Sequence, residues 1–467
     1  MYIIFMKRSQ NILSRVPWSF IGVSVALTIV MGAYVLFSPA TTSFIVVLLL
    51  FLVSPLAFLY PRGFLLALFA IRTVLDIFGS YIIFPAPVPL NISSVLGVSL
   101  LVWGTWYIFT HVRKIPKTPI VLFSSLLLVA IASGYQSIDR VATLEEFIKL
   151  ANLGIVFVIA YAYVTSINHY RSLATALSAA FIVPVIVACY QLFSNTGYAA
   201  SVSDRLLGTF GHPNSFAFGL VLAIGLYIVL RAHSLYSSRI PWLPLALLIP
   251  LLIGTYTRGA WIGAAIVGFV YGIRYHARMT LFFFFLILSA LFVLFRAPSI
   301  LPSPISQLPA LQRITFQDEE TSSFDWRKRV WFEMRGKLSA VPLFGYGFGN
   351  FTALRKTTVS YETDLLALEA HNDYLRLAIE LGYPGLLLYA AFYVSVLSVL
   401  LRALWHRPHD LILQKTYVAV TAVVVAFLVM AVADNVLQST AVNWILFALM
   451  GGTVALAHNT SVVKRRP

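Results

Sequence analysis

The sequence holds a single cysteine, Cys189, inside an apolar run, so the chain can close no disulfide on itself. It has no Cys-x-x-Cys, Asp-x-Asp or His-rich spacing, and nothing in it calls for a metal or another cofactor. The closest approach to a metal pair is Glu362 and Asp364 in "YETD", which reads more simply as a solvated acidic turn. There is no internal repeat, which argues against a transporter built from duplicated halves. Acidic residues are scarce as well, with 17 Asp and Glu against 33 Lys and Arg.

What is abundant is apolar. Hydrophobic residues make up 60% of the chain and charged residues 11%, with a mean hydropathy of +0.87, a balance that no soluble domain could bury. Apolar runs long enough to cross a bilayer core recur near 18–38, 42–60, 63–84, 91–110, 118–134, 142–164, 171–192, 213–231, 241–255, 260–274, 279–296, 382–402, 414–433 and 438–458. The pair across 241–274 can also be read as one broken unit. The fold class expected is therefore all-α: a polytopic membrane protein of about 12–14 transmembrane helices. Its organisation is helices 1 to 11 over residues 1–296, one large periplasmic or extracellular loop with short helices over 297–381, and helices 12 to 14 with a cytoplasmic tail over 382–467. Lys7, Arg8 and Arg15 precede the first run, which is too long for a cleaved signal peptide and reads as an uncleaved helix.

The formal charge of +16 suggests nucleic acid until its placement is considered. With both termini in the cytoplasm, inner segments carry Arg62, Arg113, Lys114, Arg171, Arg231, Arg274, Arg278, Arg402, Lys415 and the tail Lys464, Arg465 and Arg466, among others. The short outer loops carry only Arg140, Arg205 and Arg258. The excess is the positive-inside bias of a membrane protein, so a bilayer is the partner and nucleic acid is not. Inside the spans, Arg72 with Asp76, and Lys149 with Glu145 or Glu146, most simply neutralise each other, which leaves too few charges for a proton-coupled transporter.

Cytoplasmic links such as "YPRG" are short, so any chemistry belongs at the outer face. Three signals meet there. "DRLLGTFGHPNSFAFGL" offers Arg205, then His212 and Asn214 around a proline at a helix start, where either polar residue can serve the first turn. "GTYTRGAWIG" is a hairpin with Arg258 at its tip. Within the long loop, "SSFDWRKRVWFEMRGKL" is helical, with Trp326, Val330 and Met334, or alternatively Trp331, Phe332 and Met334, as its apolar stripe. "VPLFGYGFGNF" follows, where Gly345, Gly347 and Gly349 suggest a turn or a close backbone approach. "LALEAHNDYLRLAIEL" then reads as an amphipathic helix closed by Gly382 and Pro384, with His371, Tyr374, Leu375 and Ala378 on one side. Interfacial arginines often meet only headgroups, but the planar guanidinium also matches phosphate oxygens. A histidine there is as readily a packing residue as a base for a sugar hydroxyl, although an imidazole titrates in the right range for the latter.

"HNDYLRLAIELGYPG" fits the pattern His-Asn, nine residues, Gly-x-x-Gly, from His371 and Asn372 through Gly382 to Gly385, and it resembles the signature of the O-antigen ligase superfamily. "RLLGTFGHPNSFA", "YTRGAWIG" and "RKRVWFEMRGKLSAVPLFGYGFGNF" are similar to further motifs of that family in the same order. The resemblance implies a GT-C-like membrane glycosyltransferase of the bacterial inner membrane. Such enzymes move a glycan from undecaprenyl diphosphate to an acceptor sugar hydroxyl, with inversion and without metal or nucleotide sugar. It implies His371 as the base, Arg205, Arg258 and Arg327 as diphosphate ligands, and His212, Asn214, Asn372, Gly382 and Gly385 in support. The acceptor is lipid A-core for a ligase; an O-antigen or exopolysaccharide polymerase would instead join lipid-linked repeat units. A flippase for the same lipid is the rival class, and it would need a polar cavity through the bilayer rather than polar groups crowded into one outer loop.

Overall fold

A computed structural model describes residues 57–78, 82–84, 90–112, 115–194, 196, 205–235, 242–282, 284–286, 323–357, 368–406 and 410–462. The expected spans at 18–38 and 42–60 fall almost wholly outside these residues, as do Glu362, Asp364 and much of 279–296.

The chain is an all-α polytopic membrane protein, and six of its helices are long and apolar enough to cross a bilayer. In chain order the helices are α1 (Pro61–Ile71), α2 (Ile92–His111), α3 (Lys117–Ser133), α4 (Arg140–Tyr163), α5 (Ile167–Ala179), α6 (Ile182–Ser194), α7 (Pro213–Ala232), α8 (Leu243–Gly254) and α9 (Arg258–Tyr275). They continue with α10 (Ser323–Ser339), α11 (Phe351–Lys356), α12 (Asp373–His406), α13 (Leu411–Met430) and α14 (Thr440–Val462). The bundle is built around α14, which packs along α4 and is almost wholly enclosed. α13 lies against α7 and α9, and α12 against α3. Phe392 of α12 stacks on Phe447 of α14 at 5.5 Å and meets Phe123 of α3 edge-on at 5.0 Å, filling the centre with aromatic volume.

One expected span is corrected. The run at 63–84 is not one span: α1 ends at Ile71, a 3-10 turn occupies Leu75–Phe78, and Ile82–Phe84 pairs antiparallel with Leu90–Asn91 as a short ribbon. The chain leaves the helix because Arg72 turns inward: it is 1% exposed, bonds Asp76 at 2.6 Å and lies 4.9 Å from the Trp444 ring centroid. The Arg72 and Asp76 pair thus exists, but beyond the helix end, where it ties α1 to α14. The run at 171–192 does form one span, Ile167–Ser194, made of α5 and α6 with a turn between them where Thr73 donates its hydroxyl proton to the Ala180 carbonyl.

The short helix expected to close at Gly382 does end there. α12 begins at Asp373 and runs to His406 as two helices joined at a kink where Gly382 takes φ 68° and ψ 178°. Its first two turns, before the kink, are buried against the bundle, with Leu377 and Leu381 in the core. The left-handed φ requires glycine, and the approach of the Leu343 carbonyl leaves no room for a Cβ.

Candidate functional site

The site forms where three helices start together. α7 begins at Pro213 and is capped by His212, whose Nδ1 accepts the Asn214 backbone N–H at 3.1 Å. α9 begins at Arg258 after Thr257, and no side chain caps it. α12 begins after Asn372, whose Oδ1 accepts the Leu375 N–H at 2.9 Å. Helix N-termini carry partial positive charge and unpaired N–H groups, so their convergence favours an anion.

Asn214, freed from capping, bridges the elements instead. Its Oδ1 accepts from Arg205 Nη2 at 2.7 Å and its Nδ2 donates to Asp434 Oδ1 at 2.8 Å. Arg205 is held further by Nε to the Thr255 carbonyl at 2.8 Å and Nη2 to Thr257 Oγ1 at 3.0 Å, which fixes its guanidinium between α7 and the α8–α9 turn. Asp434, in the turn after α13, also faces His371 Nδ1 at 3.3 Å and Arg327 Nη2 at 3.8 Å. One buried carboxylate therefore joins Asn214, His371 and Arg327, and through Asn214 it reaches Arg205. Arg258 opens α9 half-buried, and its neighbour Gly259 approaches this carboxylate, since a Cβ there would stand 3.3 Å from Asp434 Oδ2.

His371 is not on the helical stripe expected for it. It precedes α12 with a left-handed φ of 42°, a strained conformation for a residue with a side chain. The loop holds it there: Trp331 Nε1 donates to the Ala370 carbonyl at 2.7 Å, and the Trp326 ring meets the imidazole edge-on at 5.0 Å. Its side chain remains 22% exposed. With Nδ1–H directed at Asp434, Nε2 is left as the proton acceptor.

The loop is clamped to the bundle through Gly345, Gly347 and Gly349, which all take positive φ. This lets the Tyr346 and Gly347 N–H groups reach the Ile379 and Glu380 carbonyls of α12 at 3.0 and 3.2 Å. Asn350 accepts the Asp139 N–H at 2.6 Å, and Arg376 bonds Glu146 at 2.9 Å and Glu380 at 3.2 Å. Of the two stripes proposed for α10, Trp326, Val330 and Met334 pack inward while Phe332 is exposed. Lys149 pairs with Glu146 at 2.6 Å.

Partial desolvation of the otherwise exposed His212 ring, and then the Arg205 guanidinium, push its pKa down to about 4, with Asp434 opposing. His212 therefore stays neutral near neutral pH and keeps the lone pair its cap needs. Burial lowers the Arg327 pKa, and Asp434 resists that shift.

The sequence-predicted residues Arg205, Asn214, Arg327 and His371 thus meet through Asp434, with His212, Arg258 and Asn372 at the helix starts around them. Gly382 and Gly385 lie farther along α12; Gly385 packs against the Leu381 side chain. Asp434, Thr257 and Trp326 were missed as site residues. Asp434 could have been found, since an acid in a chain poor in them sits one residue past the expected end of a span, in "VADNVLQS".

Residues 243–390 match the family model described as O-antigen ligase. The matched region holds Arg258, Arg327, His371, Gly382 and Gly385, whereas Arg205, His212, Asn214 and Asp434 lie outside it. No curated protein matches the chain.

Proposed function

Taking as premise that residues 243–390 belong to the O-antigen ligase superfamily, we propose that the chain is a membrane glycosyltransferase which moves a glycan from undecaprenyl diphosphate onto an acceptor sugar hydroxyl. The observation that carries this reading is the junction at Asp434, where an accessible imidazole and the Arg327 guanidinium share one carboxylate and Asn214 links it to Arg205.

His371 takes the acceptor hydroxyl proton on Nε2 while Asp434 holds Nδ1–H and stabilises the imidazolium that forms. The hydroxyl oxygen attacks the anomeric carbon from the face opposite the diphosphate, the glycosidic C–O bond breaks, and the configuration inverts. The electron pair leaves on the lipid diphosphate, whose charge rises in the transition state. Arg205, Arg258, Arg327 and the α9 N-terminus bind that growing charge more strongly than the ground state, which is the requirement for rate enhancement. Arg205 is fixed by three hydrogen bonds before substrate arrives, so little reorganisation is needed.

Both ligation to lipid A-core and polymerisation of repeat units use this chemistry; we assign the ligase on the completeness of the His-Asn to Gly-x-x-Gly motif. Incubating the purified chain with lipid-linked repeat units, alone and then with lipid A-core, tests it. A single capped product that requires lipid A-core supports the ligase, ladders from donor alone indicate a polymerase, and translocation of intact donor without transfer would mean a flippase. The bacterial inner membrane, with both termini cytoplasmic and the site on the outer face, is the location consistent with such a donor.

A further inference from the structure

At the end of the bundle far from His371, α9, α12 and α13 leave a cavity of about 330 Å³ between them. From Gln414 to Met430 a straight helix rises roughly 24 Å, so this cavity is separate from the site beside Asp434. Its size falls within the roughly 300–1,000 Å³ of pockets that hold small ligands. Val270, Leu404 and Val418 form apolar walls, and Arg274, Gln414 and Thr421 contribute polar groups.

The polar groups are ordered along the helix axis. At the mouth, Arg274 Nη2 donates to Gln414 Oε1 at 3.3 Å, with its guanidinium carbon 5.6 Å from the centroid of the Tyr275 ring. Lys415 Nζ lies 5.9 Å from the same centroid, so two cations flank one aromatic ring. Neither forms an ion pair among the described residues. Asp410, the acid closest in sequence, accepts the Leu413 N–H at 3.0 Å as the α13 cap. Six residues and roughly 9 Å deeper than Lys415, Thr421 has a buried hydroxyl oxygen with no hydrogen-bond partner among the described residues. Buried hydroxyls are ordinarily paired, so this one points to an acceptor supplied from within the cavity.

We propose that this cavity binds one anionic phospholipid from the leaflet opposite the candidate glycosyl-transfer site. The phosphodiester sits between Arg274 and Lys415, a glycerol ester carbonyl accepts from the Thr421 O–H, and an acyl chain lies against Val270, Leu404 and Val418. Cations at the surface, a donor one to two turns deeper and aliphatic walls follow the order of charge, ester and hydrocarbon along a phospholipid. Free phosphate shares only the first of these groups.

The test uses the full chain in mild detergent, loaded with phosphatidylglycerol or phosphatidylcholine, with retained lipid counted by native mass spectrometry. Retention of about one phosphatidylglycerol per chain, without comparable phosphatidylcholine, is expected. A juxtamembrane cation contributes on the order of fivefold in affinity, so Arg274→Gln with Lys415→Gln should weaken retention about 25-fold. Leu404→Trp, which fills the cavity without altering charge, should also expel the lipid. Equal retention of the two lipids, unchanged retention in both variants, or displacement by inorganic phosphate alone would overturn the assignment.

Discussion

Asp434 Oδ1 receives the Asn214 amide and faces both His371 Nδ1 and Arg327, so the position of the imidazole and the cationic wall depend on the same atom. His212 plays a different part at the residue scale. Its ring accepts a backbone N–H to cap α7, and only the neutral ring can do so. An unfolded histidine titrates near about 6.5, whereas His212 in the fold titrates at about 4. Between those values the unfolded chain binds a proton that the folded chain refuses. This contribution to stability is therefore intact above about pH 6.5 and declines as the pH falls toward 4. His212→Asn, which caps without titrating, should lose less melting temperature than the wild type between about pH 7 and about pH 4.5 in detergent. Equal losses in the two proteins would contradict the assignment.

At the scale of elements, the loop is useful only while α10, α11 and the glycine turn hold α12 and His371 in register with α7 and α9. Arg376 is the cation of that clamp: it lies between Glu146 of α4 and Glu380 of α12, almost wholly buried. Arg376→Ala leaves the buried Glu380 carboxylate without its cation, while Glu146 keeps Lys149, and breaking such a buried pair costs about 3–5 kcal/mol. A depressed melting temperature together with faster proteolysis in the 323–357 region should follow, and a variant as stable as wild type would show that the clamp carries no weight. Much of this was legible in the sequence. Span 213–231 matches α7 because its apolar run is bounded by a capping His-Pro-Asn and by Arg231. The stretch 63–84 misled because hydropathy cannot see a charged side chain turning inward toward Trp444. The start of α12 misled because a helical period continues smoothly backward through His371, while the left-handed residue there is fixed by contacts from α10 about 40 residues away in sequence. Asp434 escaped because its role is set entirely by partners far along the chain.

At the scale of the whole molecule, the two ends of the bundle carry different chemistry: helix N-termini, arginines and an imidazole at one, and the lysine- and arginine-flanked cavity at the other. On the positive-inside bias we propose that the second end faces the cytoplasm. Because Cys189 is the only cysteine, Cys189→Ser gives a background for single-site labelling. A cysteine at Tyr135, 89% exposed beside the loop, should react with a membrane-impermeant maleimide in intact spheroplasts, whereas one at Trp405, 85% exposed at the far end, should not. The reverse pattern would invert the topology and remove the site from the outer face. The most direct measurement is the rate of glycan transfer from undecaprenyl diphosphate by purified wild type, His371→Ala and Asp434→Asn at matched folding. Loss of the base should lower turnover by about 10²–10⁴-fold, and loss of the carboxylate charge should lower turnover with little change in KM. Folded His371→Ala that transfers glycan at the wild-type rate would contradict the account.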